Sequence, residues 1–130
     1  MLVVDASVLY EVLVGGPAAD DVRSRLAGDE DQAAPHAIDA EILGLIRRDH
    51  LRGRLDLTGA TLAVDDLRTW PGTRFAHRPL LARAWELRGS VRSWDALYVS
   101  LAEALDVPLL TLDARLARAP GIRCVIDVAR

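Results

Sequence analysis

No lysine occurs in this sequence; all 16 residues counted as Lys+Arg are arginine. That absence argues against two acidic-pocket folds whose chemistry requires a lysine, the haloacid-dehalogenase phosphatases and the response-regulator receivers. The first of these also needs an aspartate two positions after Asp5, where Ser7 stands. The single cysteine, Cys124, has no internal disulfide partner and cannot alone build a zinc site. Its natural place is a small buried position in a strand, and a reducing cytoplasm suits such cysteine usage. His36, His50 and His77 show no close metal-ligand spacing, which speaks against zinc hydrolysis. Aromatic residues make up 5%, too few for the stacking platform of a single-strand binding module. A net charge of −3 disfavours a nonspecific nucleic-acid coat protein. No G-x-G-x-x-G pattern occurs, and Gly15-Gly16 follows a helical pattern, so dinucleotide binding is excluded. Long apolar runs are missing too. Met1-Leu2-Val3-Val4 meets Asp5 at once, and no stretch approaches the roughly 20 apolar residues of a membrane span. The expectation is a soluble, cytoplasmic protein.

What is present is a sufficient core. At 130 residues and 51% hydrophobic content, the chain reads as a single domain, 1–130, without linker or repeat. Short apolar runs alternate with helical patterns. Leu2–Asp5 reads as a strand, and Ser7–Leu13 as a helix ended by Gly15-Gly16. Pro17 suits the start of a second helix reaching Arg25-Leu26. Gln32–Pro35 is a short strand candidate, and Ile38, Ile42, Leu45, Ile46 and Asp49 share one helix face. Thr58 is placed to cap a helix carrying Leu62, Leu67 and Trp70, stopped by Pro71-Gly72. A weak strand, Arg74–His77, precedes a helix from Pro79 to Arg88. Ser93 then precedes the helix Trp94–Leu105, whose stripe is Tyr98, Leu101, Ala102 and Leu105. Leu109–Leu112 and Cys124–Ile126 read as buried strands. Such alternation predicts an α/β fold, an open parallel sheet covered on both faces. Ligands of such sheets bind at the carboxyl ends of the strands.

Four acids fall at those ends. Asp5 follows the first strand and Asp113 follows Leu109–Leu112. Asp95 lies in the first turn of its helix, where the dipole favours negative charge, and on the inward stripe with Tyr98 and Ala102. Glu41 flanks the buried face bearing Ile38 and Leu45; Asp39, on the other side of that stripe, is its rival. Acids on inward faces need compensation, and a divalent cation with oxygen ligands provides it. Helix capping is the alternative for Asp5 and Asp113, a first-turn charge for Asp95, and an ion pair with Arg48 for Glu41.

Taken in order, Val3-Val4-Asp5-Ala6-Ser7, Asp39-Ala40-Glu41-Ile42-Leu43 with Arg47-Arg48, Ser93-Trp94-Asp95-Ala96-Leu97-Tyr98-Val99 with Leu101-Ala102-Glu103, and Pro108-Leu109-Leu110-Thr111-Leu112-Asp113 resemble the PIN-domain nuclease family, and its VapC-like toxins in particular. The resemblance spans nearly the whole chain. It implies a three-layer fold, a parallel sheet of about five strands between helices. It also implies that Asp5, Glu41, Asp95 and Asp113 hold one or two Mg2+ or Mn2+ ions and direct a water at an RNA phosphodiester, leaving 5′-phosphate and 3′-hydroxyl ends. Ser7 and Thr111 match hydroxyl positions beside the metals, with a backbone-bonding role at the strand-to-helix turn as their alternative. Arg47, Arg48, Arg92 and Arg115 are the cations nearest the acids in sequence and the candidates for RNA contact. The family also implies a homodimer inhibited by a VapB-like antitoxin. A housekeeping RNA-processing nuclease is the second reading, and a non-catalytic partner-binding module, using the helix with Leu62, Leu67 and Trp70, the third.

Overall fold

The computed structural model describes residues 1–28 and 31–130. Five short strands of these residues, β1 (Leu2–Val4), β2 (Gln32–Pro35), β3 (Thr73–Phe75), β4 (Leu109–Thr111) and β5 (Ile126–Val128), form one parallel sheet in the order β3-β2-β1-β4-β5. β1 is central and apolar throughout, as a strand covered on both faces must be, and Val3 is fully buried. Between the strands run α1 (Ala6–Val14), α2 (Ala19–Leu26), α3 (Ala37–Leu51), α4 (Leu57–Thr69), α5 (Leu81–Glu86) and α6 (Ser93–Leu105). α6 packs on β1, β2 and β4 with α5 as its helical neighbour, whereas α1 packs with α2, α3 and α4. This is the three-layer α/β arrangement expected from the sequence.

The chain order explains the layers. β1, β2 and β3 are laid down in one direction across the sheet, and the chain then returns past β1 to place β4. Parallel crossovers are right-handed, so reversing direction puts the intervening α5 and α6 on the opposite face. The reversal leaves a crevice at the carboxyl ends of β1 and β4, where such sheets take their ligands. Ile38 and Ile42 of α3, and Tyr98, Val99 and Leu101 of α6, pack the core behind that crevice. Burying each such aliphatic side chain contributes about 1.5–3 kcal/mol.

Local chemistry sets most boundaries. Asp5 caps α1 by accepting from the Val8 N–H at 3.1 Å, and Gly15 ends it with φ +66°, a left-handed conformation that glycine adopts without a Cβ clash. Several boundaries differ from the sequence expectation. α2 begins at Ala19, after a turn that absorbs Pro17. Asp56, not Thr58, caps α4, accepting from Gly59 N–H at 2.7 Å; Thr58 already lies in the first turn. In α4, Leu67 is buried but Leu62 faces solvent, and Trp70 forms the C-cap with its indole N–H bonded to Gln32. The Pro79–Arg88 region divides into a 3-10 turn, Arg78–Leu80, and the short α5. Ser93 is the first residue of α6, and Arg92 its N-cap. The last strand sits two residues later than Cys124–Ile126: Val125 is exposed, Cys124 is half-buried outside the strand, and Ile126 pairs with Leu109. Being at the sheet edge, β5 buries no full apolar run, so hydrophobicity alone misplaces it.

Candidate active site

Asp5, Glu41, Asp95 and Asp113 line one cavity of about 200 Å³, together with Ser7, Leu45, Arg92 and Tyr98. Four elements deliver them: the end of β1, the second turn of α3, the first turn of α6 and the segment after β4. A second chamber of about 240 Å³ adjoins it, sharing Arg92, Asp95 and Asp113 and adding Arg115 to its wall. The four acids therefore open onto one cleft at the switch point of the sheet.

Asp5 is the most enclosed of them, 8% exposed, and both its carboxylate oxygens are held. Ser7 donates to Oδ1 at 2.5 Å and Thr111 donates to Oδ2. Each hydroxyl is oriented by the backbone after β4: Leu112 N–H donates to Ser7 Oγ, and Asp113 N–H to Thr111 Oγ1 at 3.0 Å. With a lone pair engaged by an N–H, each hydroxyl directs its own proton at Asp5. Ser7 and Thr111 thus have the backbone bonds that were one of their two expected roles, and each also donates to Asp5. Burial nevertheless raises the Asp5 carboxyl above its usual range against the pull of these bonds, and the Asp95 charge adds to the rise.

Glu41 is half-buried and likewise raised, chiefly by burial, with Asp95 and Asp5 contributing repulsion. Tyr98 works against that rise by donating to Glu41 Oε1 at 2.8 Å. Tyr98 is a site residue that the sequence reading places only in the apolar stripe; the signal for it was a lone hydroxyl, three residues after Asp95, on an otherwise apolar face. Buried phenols keep a hydrogen-bond partner, and here the partner is an acid of the cleft.

The two outer acids are turned to arginines. Arg92 reaches Asp95 Oδ2 at 3.2 Å, and Arg115 forks onto Asp113, with both contacts at 3.1 Å. The Arg115 guanidinium holds Asp113 below the usual carboxylate range. No three His, Cys, Asp or Glu side chains among the described residues stand together as a ready-made ligand set. The donor chemistry still suits a hard divalent cation. All four are carboxylates on one cavity, and burial raises two of them, Asp5 and Glu41, a cost that a bound cation would offset.

The other candidates fall elsewhere. Asp39 is engaged by Arg74 through contacts of 2.9–3.0 Å, and Arg74 also bonds the Leu67 and Trp70 carbonyls at the end of α4. Arg48 pairs with Asp49 at 3.0 Å rather than with Glu41. Arg47 is exposed and lines neither chamber. Of the four arginines singled out in the sequence, only Arg92 and Arg115 border the cleft.

Comparisons with known proteins match the chain to one family over nearly its whole length. The family model described as "PIN domain" matches residues 2–122. Ribonuclease VapC1 of Mycobacterium tuberculosis is 43% identical over 129 residues, covering 98% of this chain and 97% of that protein. Ribonuclease VapC12 of the same organism is 35% identical over 128 residues, with 98% of each covered. In three dimensions, VapBC2 from Rickettsia felis, crystallised with a DNA fragment from its promoter, superposes with a TM-score of 0.73 over 99% of this chain and 98% of the matched chain. At 14% identity that likeness speaks for the fold alone.

Proposed function

The chain belongs to the PIN-domain family, among the VapC ribonucleases, and from that premise we propose that the cleft of Asp5, Glu41, Asp95 and Asp113 hydrolyses RNA phosphodiesters as the toxin of a VapBC-type toxin–antitoxin pair. The observation that carries the assignment is the meeting of four carboxylates, from four separate elements, on one cavity at the sheet's switch point.

Divalent-metal dependence is general to PIN-domain ribonucleases, and we assign Mg2+ or Mn2+ to the four acids of this chain. When bound, the ion supplies positive charge for a phosphate oxygen and makes water a competent nucleophile near neutral pH. The protein's own share is preorganisation. Ser7 and Thr111 fix both oxygens of Asp5, and Tyr98 fixes Glu41, so these acids need not reorganise as charge develops. Asp95 and Asp113 would hold the cation in place of their arginine partners. Arg92 and Arg115, exposed at the rim, are then free to bind non-bridging phosphate oxygens. Water adds to phosphorus and gives up one proton, the P–O3′ bond breaks, and the departing 3′ oxygen takes up a proton in turn, leaving 5′-phosphate and 3′-hydroxyl ends. The further parts of this assignment are a VapB-like antitoxin as partner, a homodimer, and the cytoplasm as the site of action. No helix of the described residues is long and apolar enough to cross a membrane.

The test is incubation of the purified protein with total bacterial RNA and manganese, followed by sequencing of new 5′-phosphate ends. Discrete cuts are expected, lost with EDTA and with Asp95→Asn. A folded protein that yields no cuts, and gains no thermal stability from manganese, would overturn the assignment.

A further inference from the structure

A third cavity opens beside the acidic cleft. It lies between α5 and the start of α6, has a volume of about 400 Å³, and is walled by Leu81, Ala84, Trp85 and Leu97 with Arg88 and Arg92 at its rim. Arg92 lines this groove and both chambers of the cleft. The groove and the two chambers of the cleft therefore share Arg92 as a common wall.

Trp85 is 68% exposed, the most exposed tryptophan of the chain. The Arg88 guanidinium lies over its ring, 4.6 Å from the centroid, and is tethered there by a 3.0 Å bond to the Trp85 carbonyl. The indole is thus backed by a cation while much of its surface remains open to solvent. No carboxylate lines the groove among the described residues. Apolar walls that include an exposed indole, with two arginines among the lining residues, are poorly matched to a plain apolar helix. They are matched to a planar base attached to phosphates.

We propose that this groove is a nucleobase subsite, in which Trp85 stacks an unpaired base of the RNA strand whose phosphate lies in the acidic cleft, while Arg88 and Arg92 contact the flanking phosphates. The proposal rests on the ribonuclease reading. The low aromatic content noted in the sequence is compatible with it, because one stacked base needs one exposed ring rather than a platform. Strands with a base able to leave its stack at that position bind preferentially, so the groove contributes to the choice of cleavage site.

The test is equilibrium binding, in EDTA to prevent cleavage, of fluorescein-labelled octaribonucleotides to the full-length protein. The probes are oligo(A), oligo(U) and an abasic ribose-phosphate octamer. Trp85→Ala is expected to weaken both base-bearing probes about 5- to 150-fold and to leave the abasic probe unchanged, while Trp85→Phe retains most of the affinity. The proposal is overturned by equal binding of wild type and Trp85→Ala, by a loss that extends to the abasic probe, or by no measurable binding to any octamer. It is also overturned if Trp85→Ala converts a dimer to a monomer in sedimentation velocity without a base-dependent loss, since the occupant is then a second copy of the chain. Manganese-dependent cleavage of total RNA by the wild type, measured in parallel, separates failure of the subsite from failure of the ribonuclease reading.

Discussion

The Tyr98 hydroxyl donates to Glu41 Oε1 at 2.8 Å, joining α6 to α3 across the candidate active site. Tyr98 is itself almost fully buried, and its phenol is held well above its usual range by burial and by the neighbouring Glu41 charge. It therefore acts only as a donor. Tyr98→Phe keeps the ring in the core and removes this one bond, leaving the Glu41 carboxylate to face burial without its donor. The expected result is a manganese affinity lower by about tenfold, in the range found when a partner of a metal ligand is removed. The acid limb of the pH–rate profile moves upward, because Glu41 then holds its proton more tightly. Titration calorimetry with manganese and rates across pH check both parts. Unchanged binding with an unchanged profile would show that Glu41 is positioned by other means.

Asp5 has two employments, as the N-cap of α1 and as the innermost acid of the cleft. Asp5→Asn preserves a side-chain oxygen for the Val8 N–H but removes the charge that burial disfavours. In EDTA at pH 7 the variant is expected to melt at or above the wild-type temperature. Manganese at 100 times its Kd is expected to stabilise the wild type by about 2.7 kcal/mol and the variant hardly at all. Thermal melts with and without metal make the comparison. A variant that melts well below the wild type in EDTA would mean that the charged cap outweighs the cost of burying it.

Much of this arrangement was legible in the sequence, for identifiable reasons. The ends of β1 and β4 are marked by aspartates that interrupt apolar runs, and strand polarity then places both at one edge of the sheet. The choice between Asp39 and Glu41 rested on a small difference in helical phase. The structure separates them by partner, since Asp39 is taken by Arg74 from β3. No local pattern announces a pairing between positions 39 and 74. For the same reason Tyr98 passed as a core residue: its role depends on Glu41, 57 positions away. The arginines were harder still. Arg48 turns to its neighbour Asp49 and Arg115 to Asp113, and proximity in sequence does not tell which acid a long flexible side chain will reach. β5 was misplaced because an edge strand, half-exposed along its length, lacks the continuous apolar signal of β1.

Away from the cleft, Tyr10 donates to Asp49 Oδ2 at 2.5 Å, and Arg48 and Arg54 sit on the other oxygen. Bonds from Arg48 and Tyr10 hold Asp49 below its usual range, while burial and the Asp49 charge push the Tyr10 phenol up to about 12. For Asp49, a depressed folded value means stability present above pH 3.8 and lost as pH falls through the folded value. For Tyr10, a raised value means stability present below pH 10 and lost as pH rises toward 12. Tyr10→Phe is expected to cost about 1.5–3 kcal/mol at pH 7, in keeping with a lost bond to a charged group. Its deficit relative to wild type narrows between pH 10 and 12, where the wild type loses the same bond. Urea denaturation at pH 7 and 11 measures the two differences, and a deficit independent of pH would place the stabilisation in packing instead.

Arg115 stands between two uses of the same cleft. Its fork onto Asp113 satisfies an acid assigned here to metal binding, and its exposed guanidinium is well placed for an RNA phosphate. Cation and arginine compete for Asp113, whereas arginine and acids do not compete for RNA once the cation is in place. Arg115→Ala therefore acts in opposite directions on the two binding events. Manganese affinity is expected to rise severalfold, because the ion no longer displaces a guanidinium. RNA affinity is expected to fall, and the slope of log affinity against log salt for a single strand to shrink by about 0.7, the share of one phosphate contact. Calorimetry with manganese alone and anisotropy with labelled RNA at several salt concentrations read the two effects separately. If both affinities fall together, Arg115 orients Asp113 for the metal rather than guarding it. If neither changes, the fork is a surface ion pair of the kind that contributes little.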